Sequence, residues 1–579
     1  MTTTAVTTAE RPAAPETPLL DDVTVAVLGG GFAVRALPGG LLALDVQARA
    51  GTAVEIRLAV PLRDAVGFWH PACGWERTLL PDWAGRVHTS LVNGAAVGCL
   101  YETSGATTLA FAAQDPVIET EVVFGISEAT RRFVVHLHLV AGGGPYTLAF
   151  APRAVSVATA LRALRGHLAA TATVAPLPTP ATGRVPVYST WYSFGQDVRA
   201  DDVEAEAARA AELGCGLLIL DDGWVAGGSR RGYAWAGDWA VDGAKFPDLA
   251  AHVRRVKEIG LAYLVWVAPL LLGPDSAAWA GMRDLAPIAS PTAPGAWVLD
   301  PRRPEVRAHV VALCTRLVAE HGLDGLKIDF LDDAQVYAGG GQDVGVAMTA
   351  LLDELRDALE AVRPGVMIEL RQPYLGHGMA AYGNLLRASD CPADAVANRV
   401  RTLDARMLAL GGAVHSDMLM WDLDGSPEWA ARQLLSVLAA VPQLSSRLDR
   451  LRDDHRAALA FWLRTWSRLR PVLVDGEVEP GRPDELYPMV RARSGGHEVV
   501  VLYAERVAPV DLTGARLVEV VNVTPARRVV LDVTGSAVAV AEVRDATGAL
   551  LETRQLPLQP GPHSFAVPPS GLLSLDLRK

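Results

Sequence analysis

The sequence predicts a multidomain protein: an N-terminal β-sandwich, a central (β/α)8 barrel of the TIM type and a C-terminal antiparallel β-domain. Three observations carry this. The chain has 579 residues, several times the usual ~150-residue domain. Its texture changes twice, from short strands with Gly-rich turns to strands alternating with helices and back to strands. Across the middle ~280 residues, short apolar runs recur with amphipathic stretches between them, the pattern of a parallel sheet covered by helices.

Residues 1–20 (MTTTAVTTAERPAAPETPLL) are rich in Thr, Ala and Pro and lack the basic and apolar regions of a signal peptide, so a disordered tail is expected. Residues 21–175 give runs such as VTVAVLGGGFAVRAL, LLALDVQA and RRFVVHLHLVAGGGPYTLAF. The alternation from Phe133 through Leu139 reads as a half-buried strand, and the repeated turns favour a sandwich. VAPLPTPATGRVP, near Val174 to Pro186, reads as a linker. Residues 186–470 hold the runs VPVYSTW, GLLILDDGW, LAYLVWVAP, GLKIDF, VMIELRQ and NLLRASD. Between them VEAEAARAAELG, LAAHVRRVKEIG and RAHVVALCTRLVAEHG each end in Gly, as a helix C-cap does. Six strands are legible and the last two are not placed. A doubly wound sheet is the rival, but no GxGxxG or GxxxxGK[ST] follows any strand. Residues 471–579 return to strand-like runs with Gly/Asp turns, LYPMVRARSGGHEVVVLYAERV and GLLSLDLRK among them.

Composition narrows the function. Lys and Arg number 53 against 65 Asp and Glu, a formal net charge of −12, which disfavours a nucleic-acid polyanion as partner. Half the residues are hydrophobic and 20% charged, enough for large cores. The apolar stretch Gly260 to Gly273 is too short for the ~20 residues a membrane span needs. Five scattered cysteines without CxxC spacing read as reduced thiols, and a cytoplasmic location is expected.

The barrel reading directs attention to strand C-terminal ends, where such barrels place their chemistry. LLILDDGW supplies Asp221, Asp222 and Trp224; YLVWVAP supplies Trp266; LKIDF supplies Lys327 and Asp329; LLRASDC supplies Arg387, Asp390 and Cys391. A single strand-end Asp is as readily an N-cap for the next helix, but that explanation strains across the whole set. Period two puts Lys327 and Asp329 on one face, and a charged pair inside a barrel is costly unless it has work to do. Two carboxylates on opposite walls of a pocket are what glycoside hydrolysis needs. Lys327 should keep Asp329 ionised. Asp390 stands in a less charged strand end, although Arg387 is near, and suits the proton donor; Asp394 is its rival in the same loop.

LGCGLLILDDGW, GDWAVDGAKFPD, LKIDF and RASDCPADAVANRV, in this order and spacing from about Tyr188 to Trp421, resemble the melibiase-type α-galactosidases (glycoside hydrolase family thirty-six), which are retaining enzymes with the same three-part layout. The resemblance implies a retaining exo-glycosidase acting on terminal α-galactosides, with Asp329 as nucleophile and Asp390 as general acid/base. It also implies that Asp221 and Asp222 bind the sugar 4- and 6-hydroxyls, with Trp266, Trp239, Lys327 and Arg303 lining the site. Trp191, ending VPVYSTW, and Cys391 complete the expected lining.

Where many family members carry a Cys- and Gly-rich segment, this chain has IELRQPYLG, so Glu369 and Arg371 are expected to face sugar or aglycone. His415 and Asp417 in AVHSDMLMW read equally as pocket residues or as a hydrogen-bonded core His and a capping Asp. No metal or organic cofactor is expected: Asp221, Asp222 and Asp329 are oxygen ligands for a hard cation, but the Lys327 ammonium competes for the space. The expected partner is a small carbohydrate, with neither nucleic acid nor membrane, and self-assembly into a homo-oligomer is left open. Alternatives are a galactosyl-transferring (raffinose-synthase-like) relative, a hydrolase of a related α-glycoside such as an α-N-acetylgalactosaminide, and a non-enzymatic sugar-binding protein.

Overall fold

The computed structural model describes residues 16–139, 145–229, 231–338 and 344–577. At its centre eight parallel strands close into a barrel: β1 (Val187–Ser189), β2 (Leu217–Leu220), β3 (Ala262–Val267), β4 (Gly325–Ile328), β5 (Met367–Arg371), β6 (Leu385–Arg387), β7 (Ala413–Leu419) and β8 (Val441–Leu444), with β8 pairing back to β1. Every residue of β2 and of β4 is buried, because barrel interior and helical jacket together cover both strand faces. The six sequence-legible strands are β1 to β6, and the two that were not placed are β7 and β8. Helices Leu249–Ile259 and Pro304–His321 end on Gly260 and Gly322, both left-handed at φ 109° and 65°, as C-cap glycines do. Between β5 and β6 the only helical element is a short 3₁₀ turn, His377–Ala381.

Before the barrel, two six-stranded antiparallel sheets pack face to face over a core that includes Phe68, Phe111, Phe124, Phe133 and Phe150. After it come a seven-stranded and a three-stranded sheet with their own core. They are mostly antiparallel, with two parallel pairs, His497–Leu502 beside Leu517–Asn522 and Val507–Asp511 beside Val529–Thr534.

Three local expectations need correction. Residues 1–15 of the expected tail lie outside the described residues, but Thr17–Leu20 is a strand, pairing antiparallel with Val23–Leu28 and placing Leu19 in the sandwich core. Within the stretch read as sandwich, Val157–Thr171 is a helix. Ser156 caps it by accepting from Thr159 N–H, and Val157, Ala160, Leu161, Leu164 and Leu168 are buried. Burying each large apolar side chain contributes about 1.5–3 kcal/mol, which outweighs the strand-rich context. The Pro/Thr/Ala stretch is not a free linker: Leu177 is buried, its N–H donates to Ala380 O at 2.8 Å, and the Gly183 carbonyl accepts from His415 Nε2 at 2.9 Å.

Loops of the sandwich also brace the barrel mouth. Gly94 N–H donates to Pro373 O (2.9 Å), and Gln335 Nε2 donates to Ser90 Oγ (2.7 Å). The loops following β4 and β5 are therefore held from outside the barrel.

Candidate active site

A cavity of about 430 Å³ opens at the C-terminal ends of the strands, lined among others by Asp221, Asp222, Trp266, Lys327, Asp329, Arg371 and Asp390. β4 ends at Ile328, and Asp329 follows with its N–H on Val267 O. Phe330 then takes a left-handed conformation (φ 59°), unusual for a residue with a side chain. That turn aims Phe330 N–H at Asp329 Oδ1 (2.8 Å). The same oxygen accepts from Arg371 Nε (2.5 Å) and Tyr374 OH (3.3 Å), and Oδ2 accepts from Trp266 Nε1 (2.9 Å). Burial opposes ionisation, but Arg371, Lys327 and the Trp266 N–H prevail and hold the carboxyl well below the ordinary range. Arg371 is itself fixed, lying 5.4 Å from the Phe330 and Tyr374 ring centroids.

On β2 the strand ends before the acidic pair. Asp221 N–H donates to Thr190 Oγ1, and the chain turns at Gly223 (φ 108°), where a Cβ would lie 2.7 Å from Gln196 Cα. Only glycine fits that approach. Lys327 Nζ donates to Asp221 Oδ2 at 2.6 Å, with both side chains buried. Asp222 Oδ2 accepts from Gln196 Nε2 (2.9 Å), whereas its Oδ1 is buried without a hydrogen-bond partner. Burial, with Asp221 adding repulsion, pushes the Asp222 carboxyl up to about 6. An unpaired buried acceptor in a cavity wall is a place for a ligand's donor.

Asp390 is held differently. Its side chain is 56% exposed and accepts from Arg387 Nη1 at 2.8 Å. The same Nη1 donates to Asp417 Oδ1 at 2.6 Å. Asp417 Oδ2 accepts from Tyr192 OH and from Cys391 N–H. Desolvation raises the Asp390 carboxyl, but the charges of Arg387 and Lys327 outweigh it and lower the carboxyl below its usual range. The expectation of a less charged strand end is thus corrected: Arg387 is on the carboxylate, not merely near it in sequence.

The model of the melibiase family matches residues 180–343, which run from just before β1 through Asp221, Asp222, Lys327 and Asp329. This stretch of the chain is similar to the melibiase family. An Escherichia coli α-galactosidase is 30% identical over 186 residues, 31% of this chain and 26% of that protein. The Geobacillus stearothermophilus α-galactosidase AgaA is 35% identical over 91 residues, 15% of this chain and 12% of that one. These matched stretches span about a quarter or less of the curated relatives' length. Among solved structures, a variant of the G. stearothermophilus GH36 α-galactosidase AgaA in complex with stachyose superposes with a TM-score of 0.64 at 15% identity, covering 97% of this chain and 84% of that one. TtGalA, an α-galactosidase from Thermus thermophilus, gives 0.58 at 19% identity, covering 83% and 98%. Those likenesses show the fold.

In this barrel not every expected residue reaches the cavity. Asp221, Asp222, Trp266, Lys327, Asp329, Arg371, Asp390 and Trp191 line it. Trp239 does not: it stands behind Trp266, ring centroids 5.6 Å apart, edge to face. Arg303 is the N-cap residue of helix Pro304–His321, its side chain 55% exposed and 3.7 Å from Glu305. Glu369 is fully buried and does not line the cavity; its Oε2 accepts from Gln443 Nε2 (2.5 Å) and meets His415 Nδ1 at 3.2 Å. His415 is therefore the hydrogen-bonded core histidine, and Asp417 braces Arg387. Cys391 contributes its N–H to Asp417, and burial raises its thiol. Asp394 accepts from Val396 and Ala397 N–H as the N-cap of helix Ala395–Leu408 and, unlike Asp390, does not line the cavity.

Residues missed at the sequence level include Tyr233, Asp332 and Arg401, all in the cavity wall. Burial pushes Asp332 up to about 6 against the pull of Arg371. Arg401 Nη1 donates to the carbonyls of Ser389 and Asp390. The first Asp of FLDDA was the available signal for Asp332; Tyr233 and Arg401 come from a loop and a helix with no strand-end pattern. Among the described residues, one trio has converging metal-type donors, Glu55, His136 and His138. It lies on the sandwich, and Arg57 already chelates Glu55 at 2.6 and 3.1 Å. No helix among the described residues is long and apolar enough to cross a membrane.

Proposed function

We propose that the protein is a retaining exo-α-galactosidase working in the cytoplasm, hydrolysing terminal α-galactosides through a covalent galactosyl–Asp329 ester. The observation that supports this most is Asp329 itself: an ionised carboxylate with one oxygen on Arg371 and the other on the Trp266 N–H, in the same cavity as the half-exposed Asp390. In the first step an Asp329 oxygen attacks the anomeric carbon while the bond to the leaving oxygen breaks, and Asp390 gives that oxygen its proton. In the second, water attacks the same carbon, Asp390 takes the water's proton, and the Asp329–carbon bond breaks to release galactose with its original configuration. Asp390 must be protonated before the first step although Arg387 favours its ionised form. Its exposure lets a proton enter from solvent, and a sugar that excludes water from the cavity shifts the carboxyl upward. Ester formation then removes the Asp329 charge, lowering Asp390 again for its role as base.

Selectivity rests on the Asp221–Asp222 pair. With Lys327 on Asp221, the free acceptor is Asp222 Oδ1, which suits an axial 4-hydroxyl. An equatorial epimer would leave it unpaired, and discrimination of ~10³-fold or more follows when a buried acceptor loses its donor. Comparing kcat/KM for p-nitrophenyl α-galactoside and α-glucoside tests this. A preference of at least ~10³ for the galactoside is expected; comparable values overturn the substrate assignment.

A further inference from the structure

A larger cavity, of about 690 Å³, opens at the other end of the barrel, where the strands begin. Arg184, just ahead of β1, and residues 409–414, which lead into β7, form one side of it. Helix Val157–Thr171 and the turn Val474–Gly476 form the other. Four arginines line this cavity, Arg162, Arg165, Arg184 and Arg406, against one carboxylate, Asp475. Two of the four are paired. Arg162 Nη2 donates to Glu479 Oε1 (3.0 Å), and Arg184 Nη1 lies 3.6 Å from Asp475, which also faces Arg470 Nε at 3.4 Å. The other two are not. Arg165 Nη1 donates to the Arg406 carbonyl (2.6 Å), and Arg406 donates to the carbonyls of Ala439 (3.0 Å) and Gly476 (2.7 Å). Among the described residues, neither has a carboxylate within ion-pair distance. Burial and the Arg165 charge pull the Arg406 guanidinium down to about 10, and burial and the Arg162 charge lower Arg165 as well. Asp475 and Glu477 attract them from further off without offsetting this. Like charges gathered in a cavity and left unmatched cost stability unless an anion completes them.

We propose that this cavity binds the phosphate group of a small phosphate monoester, with Arg165 and Arg406 gripping it. Guanidinium groups meet phosphate oxygens in charge-assisted, often bidentate hydrogen bonds. The volume lies within the ~300–1,000 Å³ of small-molecule sites, so there is room for the carrier of the phosphate, and Leu410, Val414 and Val474 in the wall give it apolar surface. The site lies at the opposite end of the barrel from Asp329 and is independent of the reaction proposed there.

The test titrates the full-length protein in a calorimeter with glucose 6-phosphate, inorganic phosphate and glucose, at constant ionic strength. Glucose 6-phosphate should bind and raise Tm, inorganic phosphate should bind more weakly, and glucose should do neither. Arg165→Gln and Arg406→Gln should each weaken glucose 6-phosphate at least about tenfold, the effect of losing one charge-assisted hydrogen bond. Without ligand, Arg165→Gln should melt at or above the temperature of the unmodified protein, because Gln can still donate to the Arg406 carbonyl and a repelling charge has gone. An arginine kept only for structure would give a lower Tm. No binding of either phosphate at millimolar concentration, or binding unchanged in both variants, overturns the site. Equal affinity for the two phosphates overturns the monoester and leaves an orthophosphate site.

Discussion

Asp329 and Asp390 line one cavity and are held in opposite ways. The Asp329 side chain is 12% exposed and meets donors from Arg371, Trp266, Tyr374 and the Phe330 backbone. Asp390 is 56% exposed and rests on one guanidinium that it shares with Asp417. Four donors fix both the position and the charge of the first carboxylate. One shared donor leaves the second able to exchange protons with water. A nucleophile needs the first environment and a residue that alternates between acid and base needs the second, so surroundings rather than residue type distinguish the two proposed roles.

The largest effect should come from the fixed carboxylate. Asp329→Ala should lower kcat by at least ~10⁴-fold, as loss of a covalent nucleophile does, with the fold intact by circular dichroism. Azide should restore part of the turnover and yield β-galactosyl azide. Substantial activity without azide would erase the distinction between the two residues.

Asp390→Ala should cost ~10²–10⁴-fold on melibiose, the range for a lost general acid, and far less on substrates with activated leaving groups. An equal loss across leaving groups would make Asp390 a binding residue.

Asp222 adds a third case, a carboxyl that burial pushes up to about 6. It must be ionised for Oδ1 to act only as the acceptor of the 4-hydroxyl, so kcat/KM should fall as pH drops below about 6, and Asp222→Asn should remove that limb together with ~10²-fold of the rate. Asp332 is raised to a similar value, so Asp332→Asn is the control; if it alone moves the limb, the acceptor has been misassigned. The sign for stability follows. A folded-state value above the unfolded ~3.9 means that the folded chain holds this proton more tightly. Asp222 therefore costs stability above about pH 6, and the cost fades as pH falls toward 4. Asp222→Asn should raise Tm at pH 8, by up to about 3 kcal/mol in stability, and change little at pH 4.

The smallest effect belongs to Asp394. As an N-cap it is worth about 1 kcal/mol, so Asp394→Ala should lower Tm slightly and leave the leaving-group dependence unchanged. A leaving-group effect here would return it as a candidate acid.

The site was legible where apolar runs stop abruptly at charged residues. β2 and β4 are wholly apolar apart from Lys327, and their ends announce Asp221, Asp222 and Asp329. β7 and β8 escaped for a physical reason: His415, Ser416, Asp417 and Gln443 sit inside them, buried. His415 and Gln443 contact each other and Glu369, Ser416 Oγ accepts from Gln443 N–H, and Asp417 accepts from Arg387, so these strands carry polar side chains and lack the apolar signature that marks the others. Glu369 and Arg371 share a face of β5 by period two, yet only Arg371, nearer the strand end, reaches the cavity; strand pattern gives the face and not the depth. Arg303 fails because chain position after β3 says nothing of the long excursion through residues 271–298, which sets it at a helix N-terminus.

The proposed mechanism turns on a covalent bond to Asp329, and trapping that bond tests it most directly. The protein would be treated with a fluorinated galactosyl fluoride that forms the ester quickly and hydrolyses it slowly, then digested and sequenced by mass spectrometry. The fluorosugar should sit on the Asp329 side chain within LKIDF, and Asp329→Ala should carry none. A label on Asp390 or Asp332, or no label while the unmodified protein releases β-galactose first from an α-galactoside, would contradict it.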